Sequence, residues 1–234
     1  PSPLESSMMI SVTVGGAFVV TGSFPASITE RVDQFITRIY AQAVQSFNKD
    51  VPQKRREAFF GGVNLSDEEM NLFEFSQRGI TLIRSNGEKF IIDLAKFRLN
   101  GDFTNNPYLK NDDVIIFPVL QLEKNFFSIE GAVNQPGLYQ YVSGDRLSDA
   151  LELAMGINPA YENVSEVSIS RLSYDGENEE IFKFKITDNP PLNVGDRIMV
   201  LSEETERKDF KVYLMGEVNK PGYVFITKNN TTLK

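Results

Sequence analysis

The spacing of apolar positions changes several times along the chain. Ile10, Val12 and Val14 alternate with polar residues, the pattern of a strand with one buried face. Residues 17–24 read as its return strand, with a turn or bulge at Gly15-Gly16. The period then lengthens. Ile28, Val32, Phe35, Ile36, Ile39, Ala43, Val44 and Phe47 recur at spacings of three and four, which predicts an amphipathic helix over 28–47. Ser27 followed by Glu30 fits a capping box at its start, and Val51-Pro52 ends it. Ser66 with Glu69 marks a second helix start near Met70, Leu72 and Phe73. Thr81–Ile83 and Phe90–Ile92 predict a hairpin through Asn86-Gly87, a pair suited to a type I′ turn because both central residues need positive φ. A loop rich in Asn, Asp and Pro leads to a last strand at 113–118.

The same succession then returns. Strands at 128–133 and 138–142 meet through Asn134-Gln135-Pro136-Gly137, read as a Pro-Gly turn with glycine supplying positive φ. A helix carries Leu147, Ala150, Leu151 and Ala154, and Gly156 suits the C′ position after it. Two glycines stand six apart in three places: Gly16 and Gly22, Gly131 and Gly137, Gly216 and Gly222. An apolar residue follows each pair: Val32, Leu147, Leu233. Arg84 matches Arg171, Asn106-Pro107 matches Asn189-Pro190, Leu109 matches Leu192, and Asp113 matches Asp196. Gly16 lies 68 positions before Arg84 but Gly131 only 40 before Arg171, so 28 residues are extra in the first copy. They fall within 48–78, and Phe59, Phe60, Leu65, Met70, Leu72, Phe73 and Phe75 of that stretch predict a contact at the edge of that copy with either the neighbouring module or another copy of the chain.

Strand, strand, helix, strand, strand, strand is the order of an α+β unit in which one helix covers a small mixed sheet, and it matches a β-grasp module. The expected organisation is tandem: a first module at 10–118 with the insertion 48–78, a second at 126–201, and the truncated start of a third at 211–234, which predicts a longer natural chain. The links 119–125 and 202–209 are short and charged, so little independent motion is expected between modules. Residues 211–227 would need a replacement for their missing helix, and the second module is the expected neighbour.

Composition narrows the chemistry. A net charge of −8 argues against a nucleic-acid partner, and Lys54-Arg55-Arg56 reads as a solvated face. With no histidine and no cysteine, His and Cys metal sites, thiol nucleophiles and a Ser-His-Asp triad are excluded. No metal and no other cofactor is expected. No apolar run approaches the roughly 18 residues of a membrane span.

The phrase GAVNQPGLYQYVSGDRLSDALELAMG, an apolar-Ser-Arg strand and NPPLNVGDRIMV resemble the soluble-ligand-binding β-grasp (SLBB) family over 126–201. GEVNKPGYVFI at 216–226 is similar to the same opening, and 10–118 resembles it more loosely. The resemblance implies a non-enzymatic role in a polysaccharide export protein of the outer membrane. The segment would then be periplasmic, with polysaccharide as partner and a homo-oligomer as the full-length state. The alternative is a monomeric module binding a sugar or another small molecule.

Six residues are candidate ligand contacts. Asn134 and Gln135 sit in the hairpin tip, where turn closure alone would also explain them. Tyr139 and Tyr141 alternate on the return strand, suited to stacking on sugar or to covering the sheet. Arg84 and Arg171 suit an anionic group, or an ion pair with the aspartates that repeat beside them, Asp113 and Asp196.

Overall fold

The computed structural model describes residues 9–50, 74–204 and 210–227. The second helix start at Ser66, the apolar residues of 51–73 and Leu233 lie outside them. The first unit runs β1 (Met9–Gly16), β2 (Gly22–Ser27), α1 (Val32–Asp50), β3 (Ile80–Ile83), β4 (Lys89–Ile92), α2 (Leu94–Asn100), a short 3₁₀ turn (Phe103–Asn105) and β5 (Asp113–Phe117). The second runs β6 (Phe126–Gly131), β7 (Gly137–Gln140), α3 (Leu147–Leu153), β8 (Tyr161–Leu172), β9 (Glu179–Lys185), a 3₁₀ turn (Ile186–Asp188) and β10 (Arg197–Glu204). The sheets have orders β2-β1-β5-β3-β4 and β7-β6-β10-β8-β9, the same arrangement twice. In each, the first and last strands of the unit lie parallel at the centre and every other pairing is antiparallel.

Each sheet carries its helix over one face. Val32, Phe35, Ile36 and Ile39 of α1 bury against Val12, Val14, Leu82 and Ile115. Leu147, Ala150 and Leu153 of α3 do the same against Phe127, Ile129, Val167 and Ile198. These are α+β layers with mixed sheets.

The expected boundaries shift where local hydrogen bonds overrule pattern. The Ser27 N–H donates to the Glu30 carboxylate and the Glu30 N–H to Ser27 O, but these bonds close a turn, and α1 starts four residues later than expected. Ile28 is left outside the helix and exposed. β2 begins at Gly22, because Phe18 turns inward to stack on Phe117 at 4.4 Å. At Asn86-Gly87 only the glycine has positive φ. The Arg84 N–H donates to Glu88 O and the Gly87 N–H to Arg84 O, so the loop is a type I turn closed by a glycine bulge, not type I′. Gly137 is likewise not in the positive-φ region, whereas Gly131 is, at +87°.

The first glycine of each complete unit's pair is required by close approach. A Cβ on Gly16 would stand 2.2 Å from Phe117 O, and one on Gly131 2.3 Å from Val200 O. The third copy supplies β11 (Lys211–Leu214) and β12 (Gly222–Phe225), paired only with each other among the described residues. Val212, Val218 and Val224, on the face that the missing helix would have covered, are 40–41% exposed, so among the described residues the expected cover from the second module is not seen; Tyr213, Met215, Tyr223 and Phe225 are 56–77% exposed.

Candidate functional site

The repeated signature is built from the helix end outward. Asn106 and Asn189 each reach across the unit to cap a helix. Asn106 Oδ1 accepts the Asp33 N–H at 2.9 Å and Asn189 Oδ1 accepts the Ser148 N–H at 2.8 Å. The next residue adds its carbonyl: Pro107 O accepts from Val32 N and Pro190 O from Leu147 N. These bonds satisfy amides that a helix N-terminus leaves free. Leu109 and Leu192, two residues further on, are buried in their cores.

Arg84 and Arg171 close the motif. Arg84 Nη1 pairs with Asp113 Oδ2, and its Nη2 donates to Tyr108 O at 3.0 Å. Arg171 grips Asp196 with two bonds, Nε to Oδ1 at 2.8 Å and Nη2 to Oδ2 at 2.9 Å. Its hydrogen bonds to Asp196 outweigh burial and hold the guanidinium above its usual pKa. Both aspartates are fully buried. Each arginine therefore has its ion pair inside its own unit, the second of the two roles the sequence left open.

The hairpin candidates are likewise tied inward. Asn134 Nδ2 donates to Met155 O at 2.7 Å, and the Asn134 and Gln135 N–H groups donate to Gly156 O and Ala154 O. They hold the end of α3, which finishes in a Schellman motif. There the Gly156 N–H donates to Leu151 O and the Met155 N–H to Glu152 O. Met155, at φ 61°, takes the C′ position expected of Gly156. Tyr139 stacks on Phe127 and donates its hydroxyl to Gln135 O at 2.7 Å. Burial raises its pKa. Tyr139 and Tyr141 both pack on the second core. The six candidates do not converge. Arg84 is in the other sheet, and Arg171 lies on β8, three strands from Tyr139 on β7.

A cluster that the sequence reading missed lies between the units. Arg78 sits before β3, only 5% exposed at its side chain. Its Nε donates to Asp93 Oδ2 at 2.8 Å. Across the junction, Nη1 and Nη2 donate to Asp145 Oδ2 and Oδ1 at 3.0 and 2.8 Å, and Nη1 also donates to Gln140 O. Ser76 Oγ lies 2.6 Å from Arg78 O and 2.5 Å from Gln140 Oε1. Lys96 Nζ adds a bond to Asp149 at 2.8 Å. Asp93 also caps α2, accepting the Lys96 N–H at 3.0 Å, and Asp145 Oδ2 accepts the Val142 N–H at 2.9 Å. Ser76, Arg78, Asp93, Gln140 and Asp145 are all buried. Burial would lower the Arg78 pKa, but the hydrogen bond to Asp145 and the charges of Asp93 and Asp145 outweigh it and raise it above the usual arginine value. Around this network α2 packs against α3, and Ala95 joins the second core.

Two recesses of about 540 and 530 Å³ flank the link at 119–124. Leu120, Leu122 and Glu74 line both, and Phe75 and Tyr40 line the second. Both are open to solvent. Among the described residues no three carboxylates come together as a metal site, and no helix is long and apolar enough to cross a membrane.

Residues 126–182 match the SLBB domain family. No curated protein matches the chain. The second unit thus carries an SLBB domain.

Proposed function

We propose that the chain is a non-catalytic, periplasmic segment of a polysaccharide export protein, made of β-grasp SLBB modules in tandem and acting through self-assembly and weak glycan contact. One observation carries this reading. The SLBB match falls on the second unit, and the first unit repeats its sheet order and its Arg-Asp and Asn-Pro-x-Leu contacts.

The junction favours a structural role. A wall around a moving polymer must keep its shape while its contacts with the polymer stay weak, because tight binding opposes transport. A buried, hydrogen-bonded charge network fixes one relative orientation, since each misplaced member would leave a buried charge unpaired. Tyr213, Met215, Tyr223 and Phe225 are exposed apolar surface that self-assembly would cover. The open recesses do not favour an enclosed small-molecule site. The signature arginines and aspartates are engaged with one another, which favours a structural role for them.

Deleting the gene in its host tests the reading. Surface polysaccharide should be lost while polymer is retained inside the envelope, and the protein should fractionate with the periplasm and outer membrane. Unchanged surface polysaccharide would refute it.

A further inference from the structure

The first unit carries an aromatic ladder that its fold does not need. The Arg31 guanidinium carbon lies 3.7 Å from the centre of the Tyr108 ring and 4.2 Å from that of Phe103. The same guanidinium donates from Nη1 to Asn106 O at 2.7 Å, which fixes it in place. Phe97 supports Phe103 at 5.4 Å between ring centres, and Arg84 holds the Tyr108 carbonyl. Despite these contacts Phe103 and Tyr108 are 56% and 51% exposed. Two large rings are thus held rigidly with half their surface in water, an arrangement that costs solvation and adds little to a core.

The second unit shows that the skeleton does without them. Arg146 stands where Arg31 does, and its Nε donates to Asn189 O at 2.9 Å. Isolated bridges join Arg31 to Tyr108 and Arg146 to Pro191 in the same way. Counting from Asn106 and Asn189, the ladder rings correspond to Ile186 and Pro191. Helix capping, the bridge and the buried leucine are all present there without an aromatic ring.

We propose that Phe103 and Tyr108, braced by Arg31, form a contact site for neutral pyranose units of a polysaccharide. The negative face of an aromatic ring attracts the polarised C–H groups on the flat side of a sugar. Arg31 lies over one face of each ring, and rings so braced have little entropy left to lose when a sugar meets their exposed surface. Neutral rather than acidic sugars are the expected ligands, because Arg84 is already paired with Asp113 and the chain as a whole carries −8. This deepens the export reading and rests on it for the identity of the ligand as a glycan.

Affinity electrophoresis of the whole chain through gels containing dextran, laminarin or alginate tests the site. A neutral glucan should retard the wild type more than alginate does. Phe103→Ile combined with Tyr108→Val should weaken that retardation on the order of tenfold, the loss of about one aromatic contact. Tyr174→Ala, which removes a fully exposed ring at the β8–β9 hairpin, should leave it unchanged. On the unaltered chain, maltoheptaose should shift the ring signals of Phe103 and Tyr108 in a ¹H–¹³C spectrum, a readout that needs no variant to fold. Full retardation of the folded double variant, stronger retardation by alginate, or unmoved ring signals would each overturn the site. Surface polysaccharide in the gene deletion is scored separately, so the export reading can survive that result.

Discussion

The first unit, Met9–Phe117, and the second, Phe126–Glu204, share a skeleton and differ in what is attached to it. Both have the same strand order, a glycine where backbone meets backbone, an asparagine that caps the helix from across the unit and a buried aspartate on an arginine. The first alone has a 19-residue α1, the helix α2, and the Arg31 ladder. The second alone has a 12-residue β8, whose outer end pairs with the extended end of β10. What recurs is explained by folding. What does not recur is where partner and ligand contacts are to be sought. The acidic residue before each helix shows this at a single position. In the first unit it is Glu30, which pairs with Arg38 of its own α1. In the second it is Asp145, which receives Arg78 from the neighbouring unit.

The sharpest way to break the comparison is at that junction. Arg78→Ala leaves Asp93 and Asp145 buried without their shared cation and should cost about 3–5 kcal/mol. Ser165 stands at the corresponding place in the second unit, six residues before its signature arginine, and is exposed. Ser165→Ala should change stability by less than about 0.5 kcal/mol. Denaturant unfolding followed by probes in each unit should show one transition for the wild type and separate transitions for Arg78→Ala. A coincident, unshifted transition in the variant would remove the junction from the account.

A smaller effect tests the shared part. Asn106→Ala and Asn189→Ala each lose a helix cap and should cost about 1 kcal/mol, with Asn189→Ala costing about 1 kcal/mol more because Asn189 stands at φ 44°, which alanine disfavours. A cost confined to one of them would mean that the signature does different work in the two copies.

The smallest effect separates the core-facing tyrosine from the exposed ones. Burial raises the Tyr139 pKa, so the folded state favours its neutral form. The stability this contributes is complete below the usual tyrosine value near 10 and is lost as pH climbs through the raised one. In an ultraviolet titration, the phenolate signal missing from Tyr139→Phe should belong to a group ionising above the usual tyrosine value. A missing signal at the usual value would place Tyr139 in solvent.

Much of the skeleton was legible because it is periodic or repeated. The α1 face was readable from Val32, Phe35, Ile36 and Ile39, and the Arg-Asp pairing from aspartates recurring beside arginines. Turn geometry was less legible. Asn86-Gly87 suited a type I′ turn, but the Asn86 side chain accepts the Glu88 N–H at 3.0 Å and stabilises a different loop. The helix caps were hidden because each asparagine lies far along the chain from the amide it satisfies. The junction was hidden for a related reason. Arg78 falls at the end of 48–78, the stretch set aside as an insertion, its counterpart Ser165 is not charged, and its partners Asp93, Gln140 and Asp145 are scattered over two units, so no spacing links them.

The central claim is that Arg78 and its partners make one rigid body of the two units. Residual dipolar couplings of the backbone amides test it most directly. The account predicts that couplings from 9–46 and 74–117 and from 126–203 fit a single alignment tensor in the wild type, and two independent tensors in Arg78→Ala. Two tensors in the wild type would contradict it.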